Sequence, residues 1–298
     1  MSNKFILSCE STVDMPYSYV SGRDISVLFY SYSIDGVEYE DEMGKDPNAL
    51  IEFYKKIDEG ALPSTSQINE YRYLEYFDEL LQKGDVLHIA FGSGMTPSVN
   101  NARTAAEQMR EKYPERKLIV IDSTCSCGGY GLLVDIAADL RDAGKSMEEI
   151  KEWVEANCHN VHHQFYVTDL KLFKRSGRVS GLSATAATIL GICPIMHLNY
   201  DGKIVAYSKV RGKKNAISTT VEEMKKHATN GADYDDKCFI CHANSLDDAK
   251  TTKELIEKEM PSLKGKVKIY NIGTIIASHC GPGTVAVFFM GDQRVKDN

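Results

Sequence analysis

The strongest fold signal in the chain is the stretch Val86-Leu87-His88-Ile89-Ala90-Phe91-Gly92-Ser93-Gly94-Met95-Thr96-Pro97-Ser98. Its apolar first half predicts a buried strand that ends at the two glycines. Thr96 suits a helix cap and Pro97 suits the first helical position, so we expect a helix that continues through 98–112. A strand that leads directly into a helix is typical of α/β proteins.

The same order of elements recurs further along the chain. A strand over 118–121 precedes a helix through Leu132 and Ile136, and a further helix opens with a capping-box pattern at Ser146 and Glu149. Alternation of this kind implies parallel strands joined by crossover helices. Upstream, Asp35-Gly36 predicts a hairpin.

The pattern changes after Cys158. A strand at Phe165-Tyr166-Val167 leads to a basic loop over 171–178 and then to a helix of small residues from Leu182 to Leu190. Asp201-Gly202 predicts a second hairpin. We therefore predict an α/β protein with two domains, one over residues 1–160 and the other over residues 161–298.

Composition limits the possible functions. A net charge of -7 argues against a nucleic-acid binder, because neutralising phosphates requires concentrated Lys and Arg. No apolar run approaches the roughly 20 residues of a membrane-spanning helix, and Met1-Ser2-Asn3-Lys4 leads into an apolar segment too short for a signal peptide. Eight cysteines in 298 residues do not resemble a disulfide scaffold. We expect reduced thiols and a cytoplasmic location.

Two hydroxyl-rich segments are candidate anion sites. Leu62-Pro63-Ser64-Thr65-Ser66-Gln67 is predicted to be a polar turn that starts a helix, and Ser93-Gly94-Met95-Thr96 precedes the helix described above. Free hydroxyls, unpaired backbone N–H groups and the positive end of a helix dipole suit a carboxylate or a phosphate. Helix capping alone would also account for either segment taken singly.

Other chemistries have weaker signals. Gly92-Ser93-Gly94 is followed by Pro97 where a dinucleotide-binding fingerprint needs a third glycine, and the flanking residues do not form a nucleophile elbow. The group Cys158-His159, His162 and His163 lacks the paired spacing of a structural zinc site, so no metal is expected. Cys238 and Cys241 have the spacing of a redox pair, but their apolar surroundings favour buried strand thiols.

Basic residues and one histidine complete the candidates. The basic residues fall into two segments, which are either solvated faces or a docking surface beside an anion site: Lys171, Lys174, Arg175 and Arg178, then Lys209, Arg211, Lys213 and Lys214. His279 precedes Cys280-Gly281-Pro282-Gly283, so we expect it on a sharp turn where its imidazole could donate to a ligand oxygen.

Taken in order, these segments resemble the DegV family of bacterial fatty-acid-binding proteins over nearly the whole chain. The resemblance is carried by motifs in the family's order and spacing: Glu10-Ser11-Thr12, Pro63-Ser64-Thr65-Ser66-Gln67, Gly92 to Val99, Asp122-Ser123, Gly129 with Gly131, Arg175-Ser176-Gly177-Arg178, Val210 to Lys214, and His279-Cys280-Gly281-Pro282-Gly283. Two departures are Glu10, where the family has Asp, and Thr96-Pro97, where it has Ser-Gly.

The resemblance implies a specific architecture and function. The first domain would hold a parallel sheet and carboxylate-binding loops, and the second a mixed sheet that contributes an acyl-chain pocket, with Leu182 to Ile195 as candidate lining. The ligand would be a long-chain fatty acid, presented to a fatty acid kinase that performs the phosphorylation used in phospholipid metabolism. The chain itself would be a carrier protein, neither an enzyme nor a cofactor-dependent protein. The implied ligand-binding residues are Thr65 and Thr96 at the carboxylate, with Ser93, Gly94, Ser66, His279 and Arg178 near it.

Two other functions stay open on the residues alone. The first is an α/β enzyme acting on a small phosphorylated or carboxylated substrate, with His279 and either Ser93 or Thr96 in its site. The second is a redox or metal module built on the cysteines.

Overall fold

The computed structural model describes residues 5–180 and 191–296, which form an α/β fold with three sheets. The elements of the first 160 residues are β1 Phe5–Glu10, α1 Tyr17–Gly22, β2 Ile25–Leu28, β3 Ser31–Ile34, β4 Val37–Glu40, α2 Ala49–Asp58, β5 Ser64–Ser66, α3 Glu70–Leu81, β6 Asp85–Ala90, α4 Ser98–Lys112, β7 Leu118–Asp122, α5 Cys127–Asp142 and α6 Met147–Asn157.

The remaining residues form eleven further elements within the described part of the chain. These are β8 Val161–Val167, α7 Lys171–Ser176, β9 Val179–Ser180, β10 Ile192–Leu198, β11 Ile204–Arg211, α8 Lys213–His227, β12 Cys238–His242, α9 Leu246–Glu259, β13 Val267–Asn271, α10 Thr274–Cys280 and β14 Thr284–Met290.

A four-stranded parallel sheet in the order β2-β1-β6-β7 organises the first half, as the alternation of strands and helices predicts. The chain leaves β1 toward β2 on one side and later returns to β6 on the other. The carboxyl ends of β1 and β6 therefore flank the point where strand order reverses, which is where open parallel sheets form ligand crevices.

Two other sheets complete the fold. A small antiparallel sheet, in the order β4-β3-β5, places Thr65 opposite Tyr32. A mixed seven-stranded sheet, in the order β13-β12-β14-β8-β10-β11-β9, contains only strands that follow residue 160. The combination of a parallel and a mixed sheet confirms the predicted α/β class.

Helix α5 joins the parallel sheet to the mixed sheet. It contacts the 3-10 turn Ser11–Val13 on one side and strands β8, β12 and β14 on the other. A Cβ atom added to Gly129 would lie 2.2 Å from Nε2 of His163, so only glycine allows this approach of helix to strand. One apolar core consequently runs from Leu7 of β1 to Phe288 of β14.

The predicted elements match the structure closely in most places. Helix α4 spans Ser98–Lys112, the capping box at Ser146 is present, and both predicted hairpins form. Pro97 precedes α4 as its cap and is not its first residue, a difference of one position. The predicted helix from Leu182 to Leu190 lies outside the described residues.

Two local predictions were wrong. Residues 64–66 do not start a helix, because they pair with β3 as strand β5, and the next helix begins at Glu70 behind the cap of Asn69. Residues 171–176 of the predicted basic loop 171–178 form helix α7. Leu172 and Phe173 are buried there, and the Asp169 side chain accepts a hydrogen bond from the Lys171 N–H at 2.8 Å.

Two broader expectations can also be compared with the structure. All eight cysteines are buried and free in the structure, and their reduced state stays a prediction. Within residues 5–180 and 191–296, no helix combines the length and the hydropathy needed to cross a bilayer.

Candidate functional site

A cavity of about 280 Å³ lies beside the carboxyl end of the parallel sheet. Phe91 and Cys127, which follow β6 and β7, line it from the first half of the chain. Strands β8 and β14 and helix α10 close it from the second half. Five of the residues implied by the family resemblance also line it: Thr65, Ser66, Thr96, Arg178 and His279.

The polar end of this cavity is built around Thr65 and His279. Thr65 Oγ1 lies 2.8 Å from Nε2 of His279, which is a hydrogen bond between strand β5 and helix α10. The expectation that His279 sits on a turn was wrong, because it belongs to the last turn of α10, which ends at Cys280. The pairing of β5 with β3 fixes the backbone that presents Thr65.

The His279 imidazole is neutral near pH 7. Burial lowers the pKa of His279 to about 4, and the positive charges of Arg178 and Arg175 act in the same direction. Arg175 is held by a 2.9 Å hydrogen bond from its Nη1 to the Pro63 carbonyl. Arg178 is exposed and lines the cavity. Arg175 and Arg178 therefore make the electrostatic potential at the cavity mouth positive, although His279 is uncharged. A positive potential favours an anionic ligand.

Thr96 lies two residues before α4 and lines the same cavity. Its Oγ1 accepts only a long hydrogen bond, 3.4 Å, from the Ser98 N–H, so the hydroxyl retains the capacity to donate to a ligand. Pro97, which also lines the cavity, has no N–H to offer. Of the two predicted anion-binding segments, this one leads directly into a helix, whereas the segment with Thr65 forms strand β5 and is separated from α3 by residues 67–69.

Ser93 and Gly94 do not line the cavity. The Ser93 N–H donates to Oδ1 of Asp122 at 3.0 Å, which ties the loop after β6 to the end of β7. A Cβ atom at Gly94 would lie 2.4 Å from the Gly202 backbone, so this glycine permits contact with the turn between β10 and β11. Both residues therefore fix the shape of the loop between β6 and α4. Their contact with a ligand stays a prediction.

The apolar walls come mainly from residues that the sequence did not mark as part of a binding site. Helix α10 contributes Ile275, Ile276 and Cys280, and Ile272 lies two residues before the helix. Together with His279 they follow the spacing i, i+3, i+4, i+7, i+8 of one helix face. Strand β14 contributes Thr284, Ala286 and Phe288, which alternate along one face of the sheet. Both patterns are visible in the sequence once the elements are known.

The tail-lining segment implied by the resemblance is not supported where it is described. Within the described part of Leu182 to Ile195, no residue lines the cavity, and Cys193 and Ile195 belong to the core on the other side of the mixed sheet. Aromatic residues line the cavity instead, among them Phe165, Phe173 and Phe288.

A buried carboxylate supports the loop that carries Thr96. The Glu10 side chain has no solvent exposure and accepts hydrogen bonds from the Phe91 N–H at 3.0 Å and from the Tyr73 hydroxyl. Tyr73 also lies 3.0 Å from Oγ of Ser98 at the start of α4. Glu10 thus holds both ends of the segment between β6 and α4, directly at Phe91 and through Tyr73 at Ser98.

The cysteine and histidine group at residues 158–163 does not converge on one point. Nε2 of His163 accepts from the Ser126 N–H at 3.1 Å, and the His159 ring stacks on Tyr200 at 3.8 Å. His162 points to a different neighbourhood, where it meets His227 and Asp292. The sequence-adjacent group is therefore not a metal centre, although one of its members belongs to another cluster.

Comparison with known proteins identifies one family, by a family model and by similar sequences. Residues 4–292 match a family model described as an uncharacterised protein of the DegV family. A DegV domain-containing protein of Clostridium perfringens is 36% identical over 294 residues, which cover 98% of this chain and 99% of the relative.

Solved structures show the same likeness. A fatty acid binding DegV family protein from Streptococcus agalactiae is 26% identical with a TM-score of 0.81, over 97% of this chain and 99% of the other. DegV, a fatty acid binding protein from Bacillus subtilis, is 25% identical with a TM-score of 0.80, over 98% of this chain and 100% of the other.

Proposed function

The chain belongs to the DegV family, and from this premise we propose that it binds a long-chain fatty acid and presents the carboxylate to a fatty acid kinase. One observation carries the proposal: the hydrogen-bonded pair of Thr65 and His279 forms the polar end of a cavity whose other walls are mostly apolar. A ligand with one anionic end and one apolar end matches both parts.

The carboxylate would be held by hydroxyl groups beside a positive charge. Because His279 is neutral, its Nε2–H can donate to Thr65 Oγ1, which leaves the Thr65 hydroxyl free to donate to a carboxylate oxygen. Thr96 and Ser66 offer two further hydroxyls on the same cavity. Hydrogen bonds to a charged acceptor are the stronger kind, and Arg178 adds a favourable field at the mouth.

The acyl chain would supply most of the affinity. Burial of each methylene contributes about 0.8 kcal/mol, so roughly ten buried methylenes contribute on the order of 8 kcal/mol before the costs of association are subtracted. The apolar face of α10 and the aromatic residues of β8, α7 and β14 would contact this chain.

Presentation to a kinase would use the basic segment at the cavity mouth. Lys171, Lys174, Arg175 and Arg178 are all exposed along and just after α7. An acidic kinase surface would dock here, and the kinase would perform the phosphoryl transfer in the cytoplasm while this chain only holds the substrate. Affinity for the kinase, measured by calorimetry, should then fall as ionic strength rises.

Native mass spectrometry of the untagged protein purified from cells tests fatty acid binding directly. We expect an added mass that corresponds to one fatty acid per chain. A ligand-free protein that hydrolyses small esters or phosphates would contradict the proposal and favour the enzyme alternative.

Paired substitutions test the site. Thr65→Val with Thr96→Val removes two hydroxyls without changing side-chain shape, so calorimetric affinity of the delipidated protein for oleate should fall roughly tenfold or more. Thr104→Val is the matched control, because Thr104 lies exposed on α4 and donates only to the Asn100 carbonyl. Equal affinity of the double variant and the control would show that the carboxylate is held elsewhere.

A further inference from the structure

Three side chains from distant parts of the chain meet away from the cavity. Nε2 of His162 lies 2.8 Å from Oδ1 of Asp292 and 2.9 Å from the Asp292 backbone carbonyl oxygen. Nδ1 of His227 lies 3.1 Å from each oxygen of the same carboxylate. All three ligand atoms lie within 4.8 Å of one another. His162 is the second residue of β8, His227 ends α8, and Asp292 follows β14.

We propose that His162, His227 and Asp292 bind a divalent transition metal ion, for which zinc fits the donor set best. Two imidazole nitrogens and one carboxylate oxygen are common zinc ligands. In a tetrahedral site with bonds of about 2.0 Å, the ligand atoms lie about 3.3 Å apart. The observed separations of 2.8 and 3.1 Å are slightly smaller. An ion bound to His162 Nε2 would replace the hydrogen bonds from this nitrogen to Asp292, and the Asp292 side chain, which is 60% exposed, would move outward to make room for it.

The imidazoles are held in place by their surroundings. The His162 ring is buried and stacks against Phe289 at 5.2 Å and against His227 at 5.1 Å. The second nitrogen of His227 lies 3.5 Å from a carboxylate oxygen of Glu223, one helical turn earlier. A carboxylate behind a ligating histidine orients the ring, which is a recurrent feature of zinc sites.

The backbone around the cluster is already fixed without an ion. The Gly291 N–H donates to the Asn160 carbonyl at 2.8 Å, and the Asp292 N–H donates to the His227 carbonyl at 3.0 Å. A metal ion would therefore join three segments that are already adjacent, with a water molecule at the exposed fourth position. Its role would be to clamp the C-terminal segment against β8 and α8, and this role is independent of fatty acid binding.

Metal titration of the full-length, untagged and chelator-treated protein tests this site. We expect one Zn²⁺ per chain by calorimetry, a rise in the melting temperature with Zn²⁺, and the visible absorption of four-coordinate Co²⁺ when Co²⁺ is used as the probe. His227→Gln and Asp292→Asn should each weaken Zn²⁺ binding by roughly tenfold or more. Both side chains are partly or largely exposed, so the fold should survive, which circular dichroism verifies.

His159→Gln is the matched control. It removes an imidazole from the sequence-adjacent group around Cys158 but leaves the proposed ligands intact, so Zn²⁺ binding should be unchanged. The proposal is overturned if the wild-type protein binds no Zn²⁺ at one per chain, if His227→Gln and Asp292→Asn bind as tightly as wild type, or if His159→Gln abolishes binding.

Discussion

His279 connects the chemistry of the proposed carboxylate site to the stability of the protein. Its pKa in the folded state is about 4, lowered by burial and by the charges of Arg178 and Arg175. An unfolded histidine has a pKa of about 6.5, so the unfolded state binds more protons between pH 4 and 6.5. The stability that His279 contributes is complete above pH 6.5 and is lost as the pH falls toward 4.

We therefore expect His279→Gln to reduce the pH dependence of unfolding. Between pH 7 and pH 5, the wild-type free energy of unfolding should fall by on the order of 1 kcal/mol more than that of the variant, allowing for the partial exposure of the ring. Urea titrations of the ligand-free proteins at the two pH values measure this difference. Parallel losses in both proteins would mean that His279 is not desolvated in the folded state.

At the scale of single elements, the strands and helices with a strong local pattern were predictable from sequence. Helix α4 combines a preceding cap with apolar residues at helical spacing, and β6 is a continuous apolar run, so both were placed correctly. Strand β5 was not, because Ser64–Ser66 is a polar segment whose conformation is set by pairing with β3. Nothing in its own sequence distinguishes a polar edge strand from a polar cap.

The difference between local sequence signals and tertiary contacts also explains which site residues were predicted. Thr65, Thr96 and His279 were named because their side chains carry chemistry and match family motifs. The apolar lining was missed because Phe165, Phe173 and Phe288 are indistinguishable from ordinary core residues until tertiary contacts leave a space between them. Helix α7 was missed because its basic residues were interpreted as a loop, although Leu172 and Phe173 give it a buried face.

The contact between α5 and β8 is an element-scale feature with a testable consequence. At Gly129, a methyl group would overlap Nε2 of His163 at 2.2 Å, and that ring is held by hydrogen bonds at both nitrogens. We expect Gly129→Ala to destabilise the protein by about 1–3 kcal/mol or more, because neither partner can move aside. Denaturant unfolding measures the loss.

Gly22→Ala provides the comparison for Gly129→Ala. Gly22 ends helix α1, and no atom lies within 4 Å of the position where its Cβ would be. The free energy of unfolding of Gly22→Ala should equal or slightly exceed that of wild type, because alanine has a higher helix propensity than glycine. A similar loss in both variants would indicate that backbone flexibility, and not the close approach to His163, decides the effect.

At the scale of the whole molecule, the two halves of the chain are joined by side-chain contacts as well as by the connecting backbone. We retain the division near residue 160 as a proposal, supported by the separation of the sheets on either side of it. The C-terminal segment nevertheless returns to the first half. The buried guanidinium of Arg294 donates to Oγ1 of Thr124 at 2.7 Å and to the Thr124 carbonyl at 3.0 Å. Removing one such partner leaves buried polar groups unpaired, so these contacts resist separation of the halves.

The shared core predicts that the two halves unfold together. Leu7 and Leu87 of the parallel sheet belong to the same core as Phe165 and Phe288 of the mixed sheet. Trp153, the single tryptophan, reports on the first half, whereas far-UV circular dichroism reports on helices in both halves. In urea, the two signals should therefore give one coincident transition with the same midpoint. The second core, built from residues after 160, is the part that could unfold alone. A separate dichroism transition without a fluorescence change would show that it does, and that the halves are independent domains.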